Sequence, residues 1–308
     1  MNKIKKNNWR LYATILATIL AIFFLYWQRD AILKGFEQIK NANPLWVLVG
    51  ICAQITSVVA AAAVYYQIAL KKTKFFNLFI AQTASLFTSR VTPASVGGIA
   101  TMGKVLSNSG HSVIEFSAVL SANAIVTFLG NASITLLALL ITGKSLLNGF
   151  NIPKIIFLIP IFIIIVAAVI YSVKSFRQKV MTFAKELWDT IKLYKLKKNK
   201  LLLGYLAGLV TTAGYMFALW ASGMSLGVSL SVLAVIVTVS LGALGASATP
   251  LPGGVVGAEA TLALTMTQFG VSADQAIAVA FTYRFITYWL PILPGYIVTQ
   301  FALRKKIL

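Results

Sequence analysis

Acidic side chains are nearly missing from this chain: seven Asp and Glu stand against 27 Lys and Arg in 308 residues. Charge of either sign makes up only 11% of the sequence, against roughly 25% in a soluble domain. Most of the surface must therefore face something other than water. Histidine and cysteine occur once each, as His111 and Cys52. That excludes a disulfide framework and any thiolate or His-cluster metal site built from this chain alone. No cofactor is expected. His111 lies in a Ser109-Gly110-His111-Ser112 turn and reads as a solvated loop residue. No nucleophile–base pair and no paired carboxylates fall together at mid-span, so the sequence does not read as an enzyme.

What the chain has in abundance is apolar length. Hydrophobic residues reach 58%, in runs at 11–27, 45–70, 113–142, 155–173, 201–224, 228–248 and 271–302. A helix needs about 20 apolar residues to cross a hydrocarbon core. The fold class expected is an all-α polytopic membrane protein, with residues 1–308 forming one integral membrane domain. No small-residue cleavage site follows the run 11–27, and Trp27-Gln28-Arg29 reads as an interfacial anchor, so this run is a first span rather than a signal peptide.

The net charge of +20 is placed where membrane insertion leaves it, not where nucleic acid needs it. Lys and Arg cluster at the ends of apolar runs, and cytoplasmic loops carry such an excess. Six spans with both termini in the cytoplasm satisfy every cluster, provided that 75–106 and 228–269 are re-entrant hairpins. On that topology 20 basic residues lie inside, five outside and two, Arg90 and Arg284, within the membrane.

Both hairpins are interrupted alike. Thr92-Pro93 is followed by Gly97-Gly98, and Thr249-Pro250 by Pro252, Gly253 and Gly254, an offset of 249 − 92 = 157. Proline and glycine break helices. Downstream, Gly110 aligns with Gly270 and Thr127 with Thr287 at an offset of 160. The pattern predicts an inverted repeat, with halves 11–142 and 153–302. Secondary transporters use such repeats, with binding sites at the repeat interface. The segment 174–199, with Phe176, Val180, Phe183, Leu187, Ile191 and Tyr194 on one helical stripe among many lysines, reads as a basic interfacial helix joining the halves.

Non-helical backbone at membrane depth survives only buried in protein or beside a watery cavity. Two breaks therefore predict a polar chamber, with half-helix N-termini pointing into it and favouring an anion such as phosphate. Arg90, Lys104, Glu259 and Arg284 are the ionisable residues within reach. A charge at bilayer centre costs at least about 2.5–3.5 kcal/mol, so such groups pair or bind. Arg284 has Glu259 as its expected partner. Arg90 has no acidic partner in its own hairpin and is the stronger ligand candidate. Glu115 and Asp274 read as helix-start residues.

The segment from Arg90 through Gly98 with Lys104, then Pro250 through Glu259, then Gly270, Ala278, Arg284, Pro291 and Pro294-Gly295, resembles a known family. It is the flippase-like membrane region of lysylphosphatidylglycerol synthases and its stand-alone relatives. The resemblance covers nearly the whole chain. It implies translocation, or support for translocation, of an anionic lipid, whether an aminoacyl-phospholipid or a polyprenyl-phosphate-linked one. It also implies the cytoplasmic membrane and envelope-biosynthesis enzymes as partners. Motif residues carried over are Arg90, Pro93, Gly97, Gly98, Pro252, Gly253, Gly254, Glu259 and Arg284. The synthases' soluble aminoacyl-transferase domain is not in this sequence, and Asn123, the repeat mate of Tyr283, leaves the first half with no counterpart of Arg284. Two alternatives stand beside this reading: a transporter for a small anionic solute, and the membrane part of a phosphatidylglycerol lysyltransferase system.

Overall fold

The computed structural model describes residues 42–92, 95–142, 198–249 and 254–308, together with isolated positions among 26–40 and 181–194. The expected span 155–173, all but Tyr26 of the expected span 11–27, and most of the interfacial segment 174–199 lie outside the described residues. So do Pro93, Pro250, Pro252 and Gly253.

The described residues fold as helices α1 (Pro44–Ile68), α2 (Phe75–Val91), α3 (Val96–Asn108), α4 (Val113–Thr142), α5 (Lys198–Ser225), α6 (Val232–Ala248), α7 (Gly257–Gln268) and α8 (Ala273–Arg284). A π-helical turn, Phe285–Trp289, then leads into α9 (Ile292–Arg304). Four helices are long and apolar enough to cross a membrane: α1, α4, α5 and the composite Ala273–Arg304. The chain is an all-helical polytopic membrane protein.

Polarity is arranged to suit a hydrocarbon surround. Leu48, Ile55, Phe128, Leu206, Val232 and Leu264 are exposed, whereas Gln54, Thr211, Thr238, Thr282 and both Arg90 and Arg284 are buried. Lipid tails are as apolar as leucine, so helices in a membrane associate through close packing and hydrogen bonds instead. The α1–α5 seam shows how. Gly214 lies where a β-carbon would overlap the Ser57 hydroxyl, and Gly204 sits against Ile68. Ser57 Oγ donates to the Thr211 carbonyl at 3.1 Å across the same seam.

Both breaks are hairpins. In the first, Thr92 Oγ1 accepts from the Gly97 amide at 2.8 Å, and Thr88 and Thr101 hydroxyls meet at 2.9 Å. In the second, Gly245 and Thr249 lie against Thr261 and Gly257. These contacts match at offsets of 157 before the break and 160 after it (Thr88 and Gly245, Thr92 and Thr249, Gly97 and Gly257, Thr101 and Thr261). Helix ends match too: His111 N donates to Leu106 O and Val271 N to Met266 O. Packing partners pair up in the same way. α2 packs on α9 as α6 packs on α4, α1 on α2 as α5 on α6, and α3 on α4 as α7 on α8.

The final span carries a π turn at Phe285–Trp289, because Pro291 has no N–H to give the carbonyl four residues back. One expectation needs correction. His111 is not solvated but buried, its Nε2 accepting from the Lys71 amide at 3.0 Å and its Nδ1 facing the Leu106 carbonyl at 3.0 Å. It pins the end of the first hairpin to the chain after α1, where Lys71 also pairs with Glu115 at 2.6 Å. Glu115 closes a capping box with Ser112, and Ser272 caps α8 through the Gln275 amide.

Overpacking a filled contact costs about 1–3 kcal/mol. Gly214→Val and Gly98→Val should therefore lower folded yield and thermal stability in detergent, read by size-exclusion and melting. The exposed substitution Leu206→Val should leave both unchanged.

Candidate functional site

Described residues flanking the two hairpin breaks line a common cavity of about 480 Å³. Ser85, Ser89, Arg90 and Ser95 line it from the first hairpin, Ser247, Thr249 and Gly254 from the second, and Tyr288 from the π turn. Neither helix that begins after a break is closed by its own N-cap side chain: Ser95 (φ 56°) and Val256 (φ 73°) make no side-chain cap. Polar donors and helix starts thus gather at one place.

Arg90 is placed by backbone. Its Nη2 donates to the Thr287 carbonyl at 2.7 Å and its Nη1 to the Leu86 carbonyl. Thr287 O is the acceptor that Pro291, lacking an N–H, cannot serve within the helix. The guanidinium carries five donors, and these bonds use two. No carboxylate lies within ion-pair distance of Arg90 among the described residues. Arg284 differs: its Nε donates to Glu259 Oε1 at 2.8 Å, while Oε2 of the same carboxylate is buried without a partner. The expected pair of Glu259 with Arg284 is therefore present.

Tyr288 joins the two cations. Its ring centre is 5.0 Å from the Arg90 guanidinium carbon and 4.0 Å from that of Arg284. Cation–π contacts strengthen when desolvated, to about 2 kcal/mol or more. Behind this partition lies a second cavity of about 300 Å³, lined by Arg90, Asn131, Tyr215, Tyr283, Arg284 and Thr287 among others. Counting Arg90, Arg284 and Glu259, the site carries 2 − 1 = +1.

Other expected site residues fall elsewhere. Lys104 is exposed on α3 and lines neither cavity. Gly97 and Gly98 face their own hairpin: a β-carbon at Gly98 would overlap the Ser89 hydroxyl and one at Gly97 the Thr88 carbonyl. Gly254 (φ 64°) lines the cavity, yet its β-carbon too would strike the neighbouring Ala246 backbone. Each of these glycines is thus required by close packing within its own hairpin. Sequence reading missed Tyr288, Tyr215, Tyr283 and Asn131. Tyr288 had a signal, four residues after Arg284 and so its neighbour on a helix face.

Breaking one partner of a buried pair costs about 3–5 kcal/mol because the other charge is left unpaired. Glu259→Gln should therefore reduce abundance or stability, and Glu259→Arg combined with Arg284→Glu should recover part of it. A double-mutant cycle in detergent melting checks the coupling.

A search of curated proteins finds no match to this chain. The profile of the family described as the lysylphosphatidylglycerol synthase TM region matches residues 11–295. Both hairpins, the polar cavity between their breaks and the Glu259–Arg284 pair fall inside that match, and the chain belongs to the lysylphosphatidylglycerol synthase transmembrane-region family.

Proposed function

We propose that this protein translocates an anionic lipid across the cytoplasmic membrane, with the lipid phosphate held by Arg90 in the cavity between the hairpin breaks. The observation that carries this reading is the positive charge of Arg90, buried at a cavity lined from both hairpins, with no carboxylate in ion-pair distance among the described residues. Burying such a charge costs several kcal/mol unless an anion compensates it. A guanidinium grips two phosphate oxygens at once. The paired packing of the two halves supports an inverted repeat, which lets the site be approached from either side in turn.

In this reading both termini face the cytoplasm, where the basic ends of α1, α5 and α9 meet anionic headgroups. The protein acts as a transporter, not an enzyme, and its partners are membrane lipid and the enzymes of envelope assembly. Tags at either terminus or within 197–200 should report cytoplasm, and tags near 149 and 227 the exterior. Gly227 and the C-terminus mapping to one side would remove the second re-entrant hairpin.

Proteoliposomes carrying fluorescent phosphatidylglycerol or a fluorescent polyprenyl phosphate test the transport itself. Wild-type protein should speed leaflet exchange of at least one, read by dithionite bleaching. Arg90→Ala should abolish the gain, and Arg90→Lys should fall between, since lysine keeps charge but loses the fork. Wild-type exchange in Arg90→Ala at equal protein abundance would end the phosphate reading.

A further inference from the structure

A third cavity, of about 450 Å³, lies between α4, α5 and α6. Ile134, Met216, Phe217, Trp220, Val235 and Ile236 line it, all apolar. It continues the polar site along the same helices. On α6 the residues Val232, Val235 and Ile236 line this groove, and Val239, Gly242, Ala243 and Ala246 line the inner cavity. Their spacing of three and four places them on one stripe of the helix. On α4 Thr127 and Asn131 line the inner cavity, and Ile134, the next turn, lines the groove. Below, α4 and α5 meet at Gly130 and Gly208, where a β-carbon on Gly130 would come within 3.5 Å of the Gly208 carbonyl carbon.

We propose that this groove is a binding site for a hydrocarbon chain, belonging to the lipid whose phosphate occupies the Arg90 cavity. The head-group half of this statement rests on the transport reading above; the chain half rests on the groove alone. Polarity changes in one direction along the α4–α6 seam, from guanidinium through Thr127 and Asn131 to Ile134, Val235 and Trp220. An amphiphile is the class of ligand whose own polarity changes in that order. A small soluble anion fills the inner cavities and makes no use of the groove. Hydrocarbon gains little by leaving bulk lipid for an apolar wall, so retention depends on shape and on dispersion contact with Phe217 and Trp220. The groove therefore selects chain geometry, while Arg90 selects charge.

Photo-crosslinking tests this with two probes, phosphatidylglycerol and phosphatidylcholine, each with a mid-chain diazirine, in nanodiscs holding the full chain. Crosslinks from phosphatidylglycerol should concentrate on 216–220 and 232–236, above the level on the lipid-facing side of α5 at Leu202, Leu206 and Val210. Ile236→Trp and Ala213→Phe, which fill the groove by different routes, should each erase that excess. Even labelling of all lipid-facing surfaces overturns the proposal, as does an excess that survives both variants. Loss of the preference for phosphatidylglycerol in Arg90→Ala, with groove labelling retained, supports both halves. Equal labelling of the groove by both probes, with normal transport in Arg90→Ala, sinks the head-group reading and leaves the chain site standing.

Discussion

One hydrogen bond organises the site. Pro291 withdraws the amide that would serve the Thr287 carbonyl in a regular helix, and Arg90 supplies the missing donor from the other half of the chain. The bond holds the first hairpin on the broken last span and keeps the arginine at the cavity wall. It also brings Tyr288 between Arg90 and Arg284, so that two like charges share one ring instead of facing each other bare. A proline, a carbonyl and a guanidinium thus convert a helix defect into a fixed cationic surface.

Around that point the molecule relies on small residues and hydroxyls. Gly204, Gly214 and Ser57 let α1 and α5 approach where the two halves meet, and glycine–threonine contacts close each hairpin. Threonine hydroxyls take up backbone groups that a break releases, as Thr92 does for Gly97. Membership of the lysylphosphatidylglycerol synthase transmembrane-region family agrees with this architecture, and the chemistry of Arg90 and the cavity carries the functional reading.

Much of this was legible in the sequence, for physical reasons. Long apolar runs have one common outcome, so the α1, α4 and α5 helices were readable from length alone. The Glu259–Arg284 pair was readable because a membrane punishes a lone charge and few carboxylates were on offer. The hairpins were readable from Pro and Gly. What escaped depended on contacts distant in sequence. The π turn needed Arg90 to stabilise it from 197 residues away, and His111 looked like a loop residue until Lys71 and Leu106 closed on it. The glycines mark the interruptions in the sequence, but their close packing against the opposite arm of the hairpin shows only in the fold.

The buried threonines and exposed leucines also set which substitutions the chain tolerates. In a water-soluble protein the interior resists polarity and the surface accepts it. Here Val232 and Leu264 face outward, and Thr238 and Thr282 face inward. A lysine at either outward site meets hydrocarbon, whereas a serine at either inward site keeps the hydroxyl and loses only a methyl group. A map of mutational tolerance for this protein is thus turned inside out, with its most permissive polar positions at the centre of the bundle.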